Sequence, residues 1–212
     1  STCFASRGSA VRSRYAPPLF KSKSHYEAFF VIIHEKDGVD MNETIQMILT
    51  RRSIRKFNDK PIDKETMELL MDCAIHAPSG MGKDTWHFVG ITNKVLIDEL
   101  IDIVGKMLNN EDYNMYHPSA LIIPFNLMDN SHGVEDNACA LENIFIAANS
   151  LGIGSVWINQ LRQFNEDPNL RQFFAKVGVM DPRMAVYGIA ALGYYDEKPL
   201  PKQRKGTYQL LE

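Results

Sequence analysis

Residues Arg51-Arg52-Ser53-Ile54-Arg55-Lys56-Phe57 gather three guanidinium groups, one ammonium and one hydroxyl. Guanidinium forks match phosphate oxygens two at a time, and a dianionic phosphate needs two or more such partners. The run is therefore a candidate anion site. A solvated basic surface is the competing explanation. Ser53 and Ile54 interrupt the charges, and the run falls where a helix gives way to a turn before Pro61. Both details favour a site. A second segment, residues 77–88 (APSGMGKDTWHF), stops a helix at Pro78, passes through Ser79-Gly80-Met81-Gly82 and enters a strand at an aromatic residue. Small residues let backbone N–H groups approach a flat ligand, although Gly/Ser loops before strands are common. A third, residues 151–159 (LGIGSVWIN), is mainly structural, with Trp157, Ile158 and Asn159 at a strand end that could face a ligand. The fourth runs from Gly193-Tyr194-Tyr195 through Pro199 to Lys202-Gln203-Arg204-Lys205; an exposed, solubilising tail is the alternative reading.

These segments need elements to hold them. Residues 42–52 predict a helix with Ile45, Ile48 and Leu49 on one face. Asp63 is a good N-cap for a second helix over 63–77, where Met67, Leu70, Met71 and Ala74 repeat at helical spacing before Pro78. Residues 86–92 read as a strand, 94–108 as a third helix, and 119–127 as a buried strand. A long apolar helix over 135–151 ends at Gly152, which suits a left-handed cap. A strand follows at 154–159. Asp167-Pro168 opens a helix ending near Gly178, and 184–194 is the last strand. Five helices interleaved with about four strands predict an α+β fold with a mixed sheet. Ala138, Ala140, Leu141, Ile144, Phe145, Ala147, Ala148 and Leu151 surround most of the 135–151 helix. A helix apolar nearly all round must be covered on all sides, and a dimer interface is the natural cover.

The 212 residues suit one domain plus a tail, with 45% hydrophobic residues for a core, 23% charged and a net charge of −3. That balance gives no reason to expect nucleic acid or an anionic membrane as partner. No apolar run approaches the roughly 20 residues that cross a bilayer. Cys3, Cys73 and Cys139 are odd in number and far apart, which reads as reduced thiols in a cytoplasmic setting. Residues 1–40 differ from the rest: Arg7, Arg12, Arg14, Lys21 and Lys23 come without acidic partners before residue 24. They read as an extension (upstream sequence or presequence), with apolar residues 26–33 available to add an edge. The domain proper is expected over 41–212. Asp129, His132, Glu135 and Asp136 form a tempting carboxylate/imidazole group, but a solvated loop explains them better than a metal. His76, His87 and His117 lack ligand spacing. GxSxG, GxxxxGK[ST] and GxGxxG are all absent from the sequence.

The order RRSIRKF, APSGMGKDTWHF, LGIGSVWI and LGYYDEKPLPKQRKG resembles the nitroreductase family of FMN enzymes over essentially all of residues 41–212. The resemblance implies a three-layer α+β fold with a mixed central sheet flanked by helices. It also implies an intertwined homodimer with FMN at the subunit interface. Position by position, it implies that Arg51, Arg52, Ser53 and Arg55 contact FMN, and that Pro78, Ser79 and Gly80 lie beside the isoalloxazine. Ile158 and Asn159 match the strand end near the ring's polar edge, and Lys202 and Arg204 the late basic pair at the phosphate. The implied activity is two-electron transfer from NADH or NADPH to a nitroaromatic, quinone or similar small acceptor, by a ping-pong cycle. Because the flavin carries the chemistry, no general base is expected. Gly82 stands where family members commonly have Asn, and Asp84-Thr85 where they have Gln-Pro. A flavin-binding protein with little turnover (storage or redox sensing) is therefore an alternative, as is a relative using reduced FMN for reductive dehalogenation.

Overall fold

The computed structural model describes residues 42–199 and 204–212. The N-terminal extension and Lys202 lie outside the described residues. Four helices begin where a short polar side chain takes up free N–H groups. Asn42 caps α1 (Glu43–Thr50), Asp63 caps α2 (Lys64–Ile75), Asn93 caps α3 (Lys94–Met107), and Asp167, with Pro168 in the first turn, caps α5 (Pro168–Lys176). The long helix α4 spans Gly133–Ser150, starting two residues before the sequence expectation and without a side-chain cap.

Strands β1 (His87–Ile91), β2 (Ala120–Leu127), β3 (Gly154–Ile158), β4 (Met184–Val186) and β5 (Ile189–Gly193) form one sheet in the order β1-β2-β5-β3, with β4 also on β2. The strand pairs are antiparallel, and an isolated parallel bridge joins Ser53 to Ser155. The sheet is mixed, as expected. The expected single strand 184–194 is instead two. Its break lies opposite Ile123 and Pro124, between the pairs Phe125–Val186 and Ile122–Ala190. Proline has no N–H to give to a ladder. Beside the break, Asn165 satisfies the outer edge of β4, accepting from the Val186 N–H at 2.7 Å and donating to its carbonyl at 2.9 Å.

Each face of the sheet carries its own core, which makes three layers. Leu121, Ile123, Phe125, Val156 and Ile158 pack with residues of α3 and α5. Ala120, Ile122, Ala190 and Leu192 pack with Met67 and Leu70 of α2 and Leu141 and Ile144 of α4. Two helices differ from expectation in informative ways. α4 is less dependent on a partner than its sequence implies: the sheet and α2 bury Ala140, Leu141, Ile144, Phe145 and Ala148, leaving Ala138, Cys139, Ile146 and Ala147 half-covered. α1 is the more open helix. It buries no residue, and Ile45, Ile48 and Leu49 are 37%, 50% and 43% exposed. Among the described residues, no helix is long and apolar enough to cross a membrane.

Candidate functional site

Arg51 ends α1: its N–H closes the last turn on the Met47 carbonyl at 3.0 Å, and its backbone then becomes extended. The extended chain runs along β3 and β5. Ile54 N–H donates to the Ser155 carbonyl at 3.0 Å, and Asn58 N–H to that of Tyr194 at 2.8 Å. Ile54 and Phe57 press so closely on Gly154 and Gly193 that a Cβ at either glycine would lie within 2.9 Å of them. Those glycines are there for packing, which fixes the basic run against the sheet.

So anchored, Arg51 faces α4. Its Nε lies 3.5 Å from Glu142 Oε1, and its guanidinium is 5.8 Å from the ring centre of Phe145. Phe145 is in turn 6.1 Å from the part-exposed Trp157 of β3. One turn further along α4, Asn149 acts as a hub. Its amide donates to the Met47 carbonyl at 3.1 Å, and its Oδ1 accepts from Lys198 Nζ at 2.9 Å. Lys198 reaches this place from the segment after β5. Burial, then the charges of Arg52 and Arg51, push its ammonium down to about 8. Three cations from two distant parts of the chain thus converge on the C-terminal half of α4. The sequence reading singled out Arg51 and Arg52 and passed over Lys198. A lysine between Glu197 and Pro199 carries no signal until the fold brings α1 and α4 to it.

The other expected residues divide. Ser53 is half-buried at the bridge to Ser155. Arg55 is exposed, with its guanidinium 5.8 Å from the Tyr116 ring centre, in the loop after α3. Ile158 sends its side chain into the α3–α5 core and leaves its backbone at the end of β3. Asn159 is exposed, its N–H donating to Gln160 Oε1. Arg204 is exposed.

Pro78, Ser79 and Gly80 sit at the other end of α4. Gly80 N–H donates to Asp136 Oδ1 at 2.7 Å, and Asp84 N–H to Ser79 Oγ at 3.0 Å. Behind the loop lies a buried polar chain. Asp136 Oδ2 accepts from Asn130 at 3.1 Å, Asn130 donates to Thr85 Oγ1 at 2.9 Å, and that hydroxyl donates to Asn126 Oδ1 at 2.6 Å. Asn126 donates to Asn137, and Asn137 to the Pro124 carbonyl. Asp136 is 4% exposed, so the solvated-loop explanation of the Asp129–Asp136 region is wrong for this residue. It clamps the loop. Among the described residues, no three His, Cys, Asp or Glu side chains are grouped to hold a metal. Beyond Gly80 the loop is open: Met81, Gly82 and Asp84 have φ of 59°, 60° and 48°, and Met81 is 83% exposed. At 1.5 Å per residue, the Asp136 clamp lies about 14–20 Å along α4 from Phe145 and Asn149.

Known proteins are similar to this chain over most of its length. The Nitroreductase family model matches residues 48–122. A protein of Archaeoglobus fulgidus, provisionally named an NADH dehydrogenase/NAD(P)H nitroreductase, is 30% identical over 174 residues, covering 80% of this chain and 91% of the relative. The NADPH-flavin oxidoreductase of Vibrio harveyi is 28% identical, covering 77% of this chain and 70% of the relative. A crystal structure of a nitroreductase with bound FMN from Bacteroides fragilis is 35% identical. It superposes with a TM-score of 0.73 over 81% of this chain and all of the other.

Proposed function

The chain belongs to the nitroreductase family, and from that premise we propose that it is an FMN-dependent oxidoreductase. It moves two electrons from NADH or NADPH to a small acceptor such as a nitroaromatic or a quinone. The observation that carries this reading is the gathering of Arg51, Arg52 and Lys198 at the C-terminal half of α4, with Lys198 held on Asn149. Crowded, partly buried cations are costly together unless an anion joins them. A phosphate dianion answers that need, and it is the group by which FMN is held. Arg51 and Arg52 bind it, with Ser53 beside them; Arg204 of the C-terminal segment joins them, and Lys202, outside the described residues, is assigned with it from the sequence alone. When bound, FMN supplies the redox chemistry, accepting and donating hydride at N5 of its ring. This chain's residues bind, orient and shield. The Pro78–Gly80 loop, fixed by Asp136 through the Gly80 N–H, would border the ring with the Ser79 N–H left to offer it, and the Ile158 backbone and Asn159 would lie at the ring's polar edge. Donor and acceptor use one slot in turn.

The site is completed by a second copy of the chain. In one copy the loop and the cations lie at opposite ends of α4. A twofold axis across two α4 helices sets each N-terminal end beside the partner's C-terminal half. It also covers the open apolar face of α1.

An absorbance spectrum and an anaerobic titration test this. The purified protein should carry a flavin spectrum, bleach with NADH or NADPH, and recover its colour on adding a quinone or nitroaromatic. A protein that takes up no FMN overturns the reading. Flavin held but not bleached by either nicotinamide moves the assignment to a storage or sensing protein.

A further inference from the structure

We propose that Lys198 is a direct ligand of the cofactor's phosphate, a third cation beside Arg51 and Arg52 that Asn149 holds in position. This inference rests on the FMN reading above. Lys198 enters the cluster from the segment after β5, and among the described residues its ammonium is fixed by one neutral acceptor, Asn149 Oδ1, at 2.9 Å. That acceptor is itself tied to the end of α1 through the Met47 carbonyl. The position is thus set by three separated pieces of chain.

A lysine serving only the fold would be expected on a carboxylate. The carboxylates nearest in sequence are Asp196 and Glu197, both exposed; Asp196 accepts from Asn58 at 2.9 Å. On α4, Glu142 pairs with Arg51. The charged groups that act on Lys198 from the end of α1 are Arg52 and Arg51, and the neighbour from α4 is the neutral Asn149. Burial and those two guanidinium groups hold its ammonium down to about 8. A phosphate dianion placed among the three reverses the field and favours the protonated lysine.

Above about pH 8 part of the Lys198 population is neutral, so binding the phosphate requires taking up a proton. FMN affinity should then fall as pH rises through this range, by up to about tenfold per pH unit from this group. Riboflavin, which has the same ring and no phosphate, should show no such loss.

The experiment titrates the full chain with FMN and with riboflavin, below and above about pH 8, for wild type, Lys198→Met and Lys198→Arg. Lys198→Met keeps the aliphatic stem. It should weaken FMN on the order of 10- to 100-fold, the scale of one charged hydrogen bond, and leave riboflavin unchanged. Lys198→Arg should restore much of the FMN preference and remove the decline above pH 8. An equal loss of both flavins would make Lys198 a structural residue and overturn the inference, as would an unchanged FMN-to-riboflavin ratio in Lys198→Met. A wild-type chain that binds neither flavin overturns the functional reading and this inference together. FMN binding indifferent to Lys198 overturns the inference alone.

Discussion

The two ends of α4 are both rich in polar residues and are organised in opposite ways. At the N-terminal end, Asp136, Asn137, Asn130, Asn126 and Thr85 donate to and accept from one another and from Gly80 and Pro124. Buried polar groups satisfied in this way form a frame. At the C-terminal half, Arg51, Arg52 and Lys198 are gathered together, and burial first, then the charges of Arg52 and Arg51, holds the Lys198 ammonium down. Groups arranged against their own electrostatic preference are candidates for function. Polar residue types alone do not separate frame from site. What separates them is that the frame residues pair with one another, while three cations are gathered at the other end and Lys198 is held there on the neutral Asn149.

The largest effect should come from breaking the frame. Asp136→Ala leaves the Gly80 N–H and the Asn130 amide without their charged acceptor, which should cost about 3 kcal/mol of stability. Urea denaturation measures it. A loss under about 1 kcal/mol would mean that water or a side-chain shift replaces the carboxylate, and the contrast between the two ends would weaken. Arg51→Ala should behave in the reverse sense. Its contact with Glu142 is 3.5 Å long and partly exposed, so stability should change by less than about 1 kcal/mol. FMN affinity should fall by roughly 2–3 kcal/mol, the scale of a lost charged hydrogen bond, and Arg204→Ala should act similarly. Unchanged FMN retention in both variants would remove the basis of the phosphate assignment.

The sequence discloses what is local. Asn42, Asp63, Asn93 and Asp167 mark helix starts because an N-cap acts within three residues of its own position. The basic run at Arg51 is visible because its members are adjacent. What the sequence hides depends on distant partners. The break between β4 and β5 is tied to Pro124 and Asn165, remote from residues 187–188 in the chain. Lys198 becomes notable only when Asn149 and Arg52 are beside it. Ile158 ends β3, and strand alternation turns its side chain into the α3–α5 core. Asp136 reads as a loop acid until α4 proves to begin at Gly133 and to bury it.

The comparison also has a test in assembly. If a second copy brings a frame end to a cation end, the exposed face of α1 lies in the contact. Ile48→Asp replaces an apolar side chain there with a charge. Burying one Ile contributes about 1.5–3 kcal/mol, and a twofold interface uses the position twice. Light scattering should show the dimer shifted toward monomer at low concentration, with flavin retention falling in parallel. A wild-type chain that is a stable monomer and keeps its flavin would sink the shared-site arrangement.

The smallest expected effect lies in the open part of the loop, just beyond the frame. Gly82 has φ of +60°, and a Cβ built there meets nothing within 4 Å. Space is therefore no obstacle to a side chain, but backbone conformation is. Asn tolerates the left-handed region better than most residues, so Gly82→Asn should cost no more than about 1 kcal/mol of stability. The hydrogen bond from Gly82 N–H to the Ser79 carbonyl, 3.0 Å long, uses the backbone alone and is available to either residue. If the loop borders the flavin ring, the added amide supplies one neutral hydrogen bond, about 0.5–1.5 kcal/mol net. FMN should then bind up to about tenfold tighter, and its midpoint potential should move, since the contact differs between oxidised and reduced ring. Titration with FMN and an equilibrium redox titration of wild type and variant measure both. Equal affinity and equal potential in a folded variant would mean that another group already meets the ring at this place. Gly82 would then not weaken flavin binding, and a protein of low turnover would lose its main support.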